Sequence, residues 1–144
     1  MKLLATLAFI LAASAAYALD YASVSENTAI LYDAPSVKAK KIFVASRYWP
    51  VEQVVALDAW VKVRDNSGGL AWIEKRALSK KRYVLVTAAL AAVRQSPDEN
   101  AGLVMQARQQ VALEWLEDTD IGWVKVRHQD GLIGYIKTAD VWGS

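Results

Sequence analysis

Trp60-Val61-Lys62-Val63-Arg64 recurs without change as Trp123-Val124-Lys125-Val126-Arg127. Within each copy the valines alternate with Trp, Lys and Arg, a period of two that sets Val61 and Val63 on one face of a strand. A turn follows in both places. It is Asp65-Asn66-Ser67-Gly68 in the first copy and Gln129-Asp130-Gly131 in the second, Asp-Gly being the stronger hairpin signal. Beyond the turns, Gly68-Gly69-Leu70-Ala71-Trp72-Ile73 is matched by Gly131-Leu132-Ile133-Gly134-Tyr135-Ile136, the returning strand of each hairpin.

The match extends upstream, where Ile30-Leu31-Tyr32-Asp33-Ala34-Pro35 lies opposite Ala92-Val93-Arg94-Gln95-Ser96-Pro97. Partners are 62 residues apart there and 63 apart from the hairpin onward, so one residue is inserted between the matched halves. Two ordered copies with matching turns make an internal repeat. Local pattern predicts further strands at Thr28–Tyr32, Ile42–Ser46 and Val51–Leu57, and in the second copy at Val84–Thr87, Leu103–Ala107 and Val111–Leu116. Glu74–Leu78 and Lys137–Val141 are short and polar, suited to a single 3-10 turn closing each unit. About five short strands in about 60 residues suit a small closed barrel better than an open sheet. The expected fold is therefore all-β: two tandem small β-barrels, over residues 19–79 and 80–144. Ser79-Lys80-Lys81-Arg82 between them is too short for a flexible tether, so the barrels are expected to touch or to be held in a restricted orientation.

Leu3 to Ala13 is an apolar run behind Lys2, and Ala16-Tyr17-Ala18 supplies a small-x-small pattern. Together they predict a signal peptide over residues 1–18, cut after Ala18. The run is shorter than the roughly 20 residues a transmembrane anchor needs, so no membrane span is expected after cleavage. The expected location is periplasmic or secreted. The chain has no cysteine, so stability in an oxidising compartment has to come from apolar burial alone. Formal net charge is +2 for the whole chain and near zero without Lys2, which argues against a nucleic-acid partner.

These residues resemble bacterial SH3 domains, the SH3b family. In the second copy the resemblance runs through Val86-Thr87-Ala88, Val93-Arg94, Pro97, Gly122-Trp123, Lys125-Val126, Gly131 and Gly134-Tyr135-Ile136. In the first it runs through Pro35, Trp60, Lys62-Val63, Gly68 and Trp72-Ile73. The first copy departs at Tyr32, where the family usually has Arg, and at Ala71, where it usually has Gly. The resemblance implies a five- or six-stranded barrel and a non-catalytic role in targeting or ligand binding at the bacterial envelope. Some relatives bind peptidoglycan peptides and others are accessory modules; a fold of this kind does not fix function.

Alternation places Trp60 and Trp72 on the side of the hairpin opposite Val61, Val63 and Ile73, with Trp123 and Tyr135 repeating the pair. Outward rings beside Lys62 and Lys125 are what a peptide or glycan surface requires, since each ring offers apolar area and a directional N–H or O–H. The same rings serve equally well as a covering layer packed on each other or on the neighbouring repeat. Ala29-Ile30-Leu31-Tyr32-Asp33 is similar to the tyrosine-bearing stretch of eukaryotic SH3 domains, although the second copy lacks it and chance is the better explanation. Arg47-Tyr48-Trp49-Pro50 has no aromatic counterpart in the second copy. Trp49 is thus either a site particular to the first barrel or, the preferred reading, part of an inter-domain contact. Lys38-Ala39-Lys40-Lys41 and Lys80-Lys81-Arg82 read as solubilising charge on a loop and a linker, while the acids Glu114, Glu117, Asp118 and Asp120 gather in the second copy.

The one histidine, His128, sits where the first copy has Asp65, as a turn residue does. No thiol exists, and one histidine is too few for a zinc hydrolase site. No catalytic residue, metal ligand or cofactor is expected, and a hydrolase built on a carboxylate pair remains only a remote alternative. The expected function is an exported binding module recognising a peptide or peptidoglycan fragment through the aromatic pairs. The alternative is an accessory or scaffold protein docking on another envelope protein.

Overall fold

The computed structural model describes residues 20–144; the signal-peptide expectation for residues 1–18 lies outside them. The first repeat runs β1 (Tyr21–Val24), β2 (Thr28–Tyr32), β3 (Lys41–Ser46), β4 (Pro50–Ala56), β5 (Trp60–Arg64), β6 (Leu70–Glu74), a 3-10 turn at Lys75–Ala77, and β7 (Leu78–Ser79). The second runs β8 (Tyr83–Val86), β9 (Leu90–Arg94), β10 (Leu103–Arg108), β11 (Ala112–Asp118), β12 (Trp123–Arg127), β13 (Ile133–Lys137), a 3-10 turn at Thr138–Asp140, and β14 (Val141–Trp142). Each repeat is one antiparallel sheet of seven strands. The orders, β3-β2-β6-β5-β4-β1-β7 and β10-β9-β13-β12-β11-β8-β14, are the same.

The two copies agree down to their irregularities. The bulge between Gln53 and Val55 in the first recurs between Trp115 and Glu117 in the second. The residue inserted into the second copy falls in the turn after β11. Thr119-Asp120-Ile121-Gly122 stands there against Leu57-Asp58-Ala59, with Asp120 at φ 61° and Gly122 at φ 85° taking up the extra length. A turn absorbs an insertion without moving the ladders on either side, which is why the spacing changes only there.

Each sheet closes on its own core. Val24, Leu31, Val51, Val61, Val63 and Ile73 are buried in the first, and their counterparts Val86, Val93, Leu113, Val124, Val126 and Ile136 in the second. At roughly 1.5–3 kcal/mol for each such side chain, this is the apolar burial a cysteine-free barrel depends on. The strand count exceeds the expected five because two-residue strands close each sheet and because each copy conceals one strand that the other displays. Tyr21–Val24 contains Ala and Ser and reads poorly as strand, whereas its partner Tyr83–Val86 is plain. Leu90–Arg94 contains two alanines, whereas its partner Thr28–Tyr32 is plain.

The barrels touch, as the short linker requires. All four residues of β8 are buried. Val84 and Val86 face their own core, while Tyr83 and Leu85 project from the opposite side, toward the first barrel. A strand covered on both faces reads as an unbroken apolar run, and Tyr83-Val84-Leu85-Val86 is one. Ser23 Oγ donates to Lys81 O at 2.6 Å, Tyr48 stacks on Tyr83, and Tyr21 meets Trp142 edge to face at 5.3 Å. Arg82 is half-buried and not a solvated linker charge, a correction to the sequence reading. Its guanidinium lies 4.3 Å from the Trp115 ring centroid, and Nη2 donates to Gly143 O at 2.7 Å.

Candidate functional site

Backbone pleat and register gather most of the sequence-predicted residues into one patch per barrel. Trp60, Lys62 and Trp72 share a face, because Lys62 and Trp72 are cross-strand partners and Trp60 lies two residues from Lys62. Tyr32 joins them as the β2 partner of Trp72, with its ring edge to face against Trp60 at 5.5 Å. In the second barrel Trp123, Lys125 and Tyr135 repeat the arrangement, with Lys125 Nζ 6.0 Å from the Tyr135 centroid. Arg94 takes the place of Tyr32 opposite Tyr135.

Three expectations need correction. Trp123 is not an outward ring; it is 8% exposed. Its cross-strand partner Lys137 reaches over it, Nζ standing 6.0 Å from the ring centroid. The matching partner of Trp60 is Glu74, shorter and drawn aside to Arg76 at 2.7 Å, so Trp60 stays half-exposed. Tyr32 is also covered, at 6% exposure. Trp49 lies apart from both patches. It packs on the first core and tilts against Phe43 at 5.7 Å; the inter-domain contact of that segment belongs to Tyr48.

Beside each patch lies a groove in the same place, between the second strand of the sheet and the 3-10 turn. In the first barrel it measures about 180 Å³ and is lined by Glu26, Ile30, Tyr32, Glu74 and Arg76 among others. Arg76 there binds Glu26 at 3.0 Å as well as Glu74. In the second barrel it measures about 390 Å³ and is lined by Ala92, Arg94, Glu99, Trp123, Lys137 and Asp140 among others. Ala92 in place of Ile30 removes bulk from its wall. Arg94 Nη1 donates to Ala101 O at 2.9 Å, which orients the guanidinium, and Lys137 Nζ pairs with Glu99. Sequence reasoning missed Lys137 and Glu99 as site residues. The available signal was the mismatch of charge at otherwise matched positions, Glu74 against Lys137 and Val37 against Glu99.

His128 is a turn residue, as expected. Its backbone N–H donates to Leu132 O at 2.8 Å and its Nδ1 lies 2.9 Å from Asp130 Oδ1. Asp130 is held below the usual carboxylate range, first by the N–H of Leu132 and then by His128. Among the acids of the second copy, Glu114 is engaged by Lys81 at 3.6 Å and Arg127 at 3.4 Å. Among the described residues no group of three His, Cys, Asp or Glu is placed to hold a metal ion, and no helix is long and apolar enough to cross a membrane.

Two family models, both described as bacterial SH3 domain, match residues 25–80 and 88–141. The chain belongs to the bacterial SH3 domain family. It carries two such domains in tandem, and domains of this family act typically as non-catalytic binding modules. Similar solved structures include NlpC2 of Trichomonas vaginalis, at 14% identity and TM-score 0.41, covering 88% of this chain and 49% of that one. NlpC1 of Trichomonas vaginalis follows at 17% identity and TM-score 0.41, covering 96% and 51%. An NlpC/P60 family protein from Bacillus cereus ATCC 10987 has 16% identity and TM-score 0.40, covering 85% and 56%. The chain thus spans about half the length of the structures it matches, and likeness at this level bears on neither activity nor ligand. No curated protein matches the tandem SH3 chain.

Proposed function

We propose that the protein is a non-catalytic binding module of the bacterial envelope that recognises a peptide or cell-wall component through the aromatic patch and groove of its SH3 domains. One observation carries the reading: both domains keep a groove at the same place, each flanked by an aromatic strand face, although the side chains around it differ. A repeated concave feature beside half-exposed rings suits binding, and two such sites on contacting domains strengthen attachment to a polymer by avidity. Trp72 and Tyr135, both half-exposed, are the residues to test. Retention of the purified protein on isolated cell wall is expected to fall sharply in Trp72→Ala combined with Tyr135→Ala, while cooperative melting persists. Equal retention of the variant, or none by the parent, refutes the proposal.

One feature favours the second reading, docking on another exported protein. Edge strand β3 exposes three consecutive apolar residues, Ile42 at 51%, Phe43 at 41% and Val44 at 57%, beside Lys38, Lys40 and Lys41. An extended partner segment with acidic flanks suits such an edge. Under this reading Phe43→Glu releases a stoichiometric partner that survives muramidase digestion and leaves cell-wall retention intact.

A further inference from the structure

The two grooves share a backbone and differ in charge at several matched positions, three of which concern the mouth of the second groove. Tyr32, Val37 and Glu74 in the first domain stand where Arg94, Glu99 and Lys137 stand in the second. These substitutions put two strand-borne cations beside Trp123 and one acid on the loop above them, while Asp140, where the first domain has Ala77, adds a second acid at the 3-10 turn end of the lining. That acid is paired: the Glu99 carboxylate sits on Lys137 Nζ at the groove mouth. Glu99 comes from the β9–β10 loop and its side chain is 70% exposed, whereas Lys137 is on a strand and Arg94 is fixed by Ala101.

We propose that the groove of the second domain takes the carboxylate terminus of a short peptide with small side chains, which replaces Glu99 on Lys137 and lies between Arg94 and Trp123. This rests on the binding role proposed above and names the chemistry of its ligand. The internal carboxylate shows that the position accepts an anion. An exposed loop residue is a displaceable occupant, since a surface ion pair contributes little. The oriented guanidinium offers further N–H donors of the kind that bind carboxylates with defined geometry. Ala92, in place of Ile30, leaves room for small apolar groups over the largely covered Trp123, consistent with a volume about twice that of the first groove. The first groove places Glu74 at the position of Lys137, and its lining cation, Arg76, is already held by two carboxylates, Glu74 and Glu26, so it favours the same terminus less.

The pair also holds Glu99 below the ordinary carboxylate range, chiefly through its hydrogen bond to Lys137 and then through the lysine charge. Because it occupies Lys137, Glu99 competes with the incoming carboxylate.

The test is titration of the purified protein at neutral pH with N-acetyl-alanyl-alanine, its C-terminal amide and N-acetylmuramic acid, followed by the indole resonance of Trp123. The peptide acid is expected to bind at least tenfold more tightly than the amide, the scale of one charge-assisted hydrogen bond. Lys137→Gln and Lys137→Glu, at an exposed side chain, abolish the preference. Glu99→Gln has the opposite effect and tightens binding several-fold. Equal binding of acid and amide, or weaker binding in Glu99→Gln, overturns the inference. So does preference for N-acetylmuramic acid, because the carboxylate would then come from a sugar. If cell-wall retention depends on Trp72 and Tyr135 but is unchanged in Lys137→Glu, the binding role stands and the carboxylate assignment falls.

Discussion

Tyr48 of the first barrel and Tyr83 of the second stack with ring centroids 4.6 Å apart and planes inclined by 25°. Tyr48 occupies the left-handed region at φ 73°, and its counterpart Gln110 does so at φ 70°. The turn therefore demands this conformation in both copies, and a bulky residue tolerates it at a cost of roughly 1 kcal/mol. In the first barrel the ring that occupies this costly position is the one that reaches the neighbouring domain.

Tyr48→Gly separates those two contributions. Glycine relieves the backbone but deletes the stack, so the first barrel is expected to hold or gain stability while the coupling between domains weakens. Domain-resolved hydrogen exchange and small-angle scattering should show looser relative motion with both cores still protected. Unchanged coupling would show that the Ser23 hydrogen bond and the Tyr21–Trp142 contact hold the seam without the stack.

The seam is expected to fail at alkaline pH before either core does. Burial raises the phenol of Tyr83, against the opposing influence of Lys81. Burial and Glu52 raise that of Tyr21, against Arg82 and Arg64. Each folded value lies above the ordinary tyrosine value of 10.0, so the neutral form is the one the fold favours. The associated stability is whole below about pH 10 and is lost as pH rises through the folded values. Tyrosinate absorbance and inter-domain mobility should rise together. Looser domains at pH 8 would contradict this.

Gly134 has a steric role that its counterpart lacks. A Cβ added there would stand 2.6 Å from Val93 Cγ1 and 2.7 Å from the carbonyl oxygen of Arg94. Gly134→Ala is expected to cost about 1–3 kcal/mol by overpacking in urea unfolding. Ala71→Gly in the first barrel, where a Cβ is already accommodated, is expected to cost about 0.5–1 kcal/mol from backbone entropy. Equal costs would mean the two strand crossings are alike.

Trp123→Ala is a stability variant and not a clean binding variant. Removing a ring this well covered is expected to cost about 3–5 kcal/mol, with a much smaller loss for the half-exposed Trp60→Ala. Thermal melts of the two variants side by side decide the point; similar Tm shifts would restore Trp123 to the surface.

Sequence alone determined the duplicated all-β architecture, the valine core faces and the turn character of His128. Each of these follows from local periodicity or from comparing one copy with the other, and Val61, Val63 and Ile73 sit where alternation put them. Tertiary structure decided which rings are available. Trp60 and Trp123 lie in identical pentapeptides, so nothing local distinguishes them. Their exposure is set across the ladder by Glu74 and Lys137, and that of Tyr83 by another domain. Charge at a groove depends likewise on residues from three separate segments, Arg94, Glu99 and Lys137, which converge only when β9, its following loop and β13 are folded side by side.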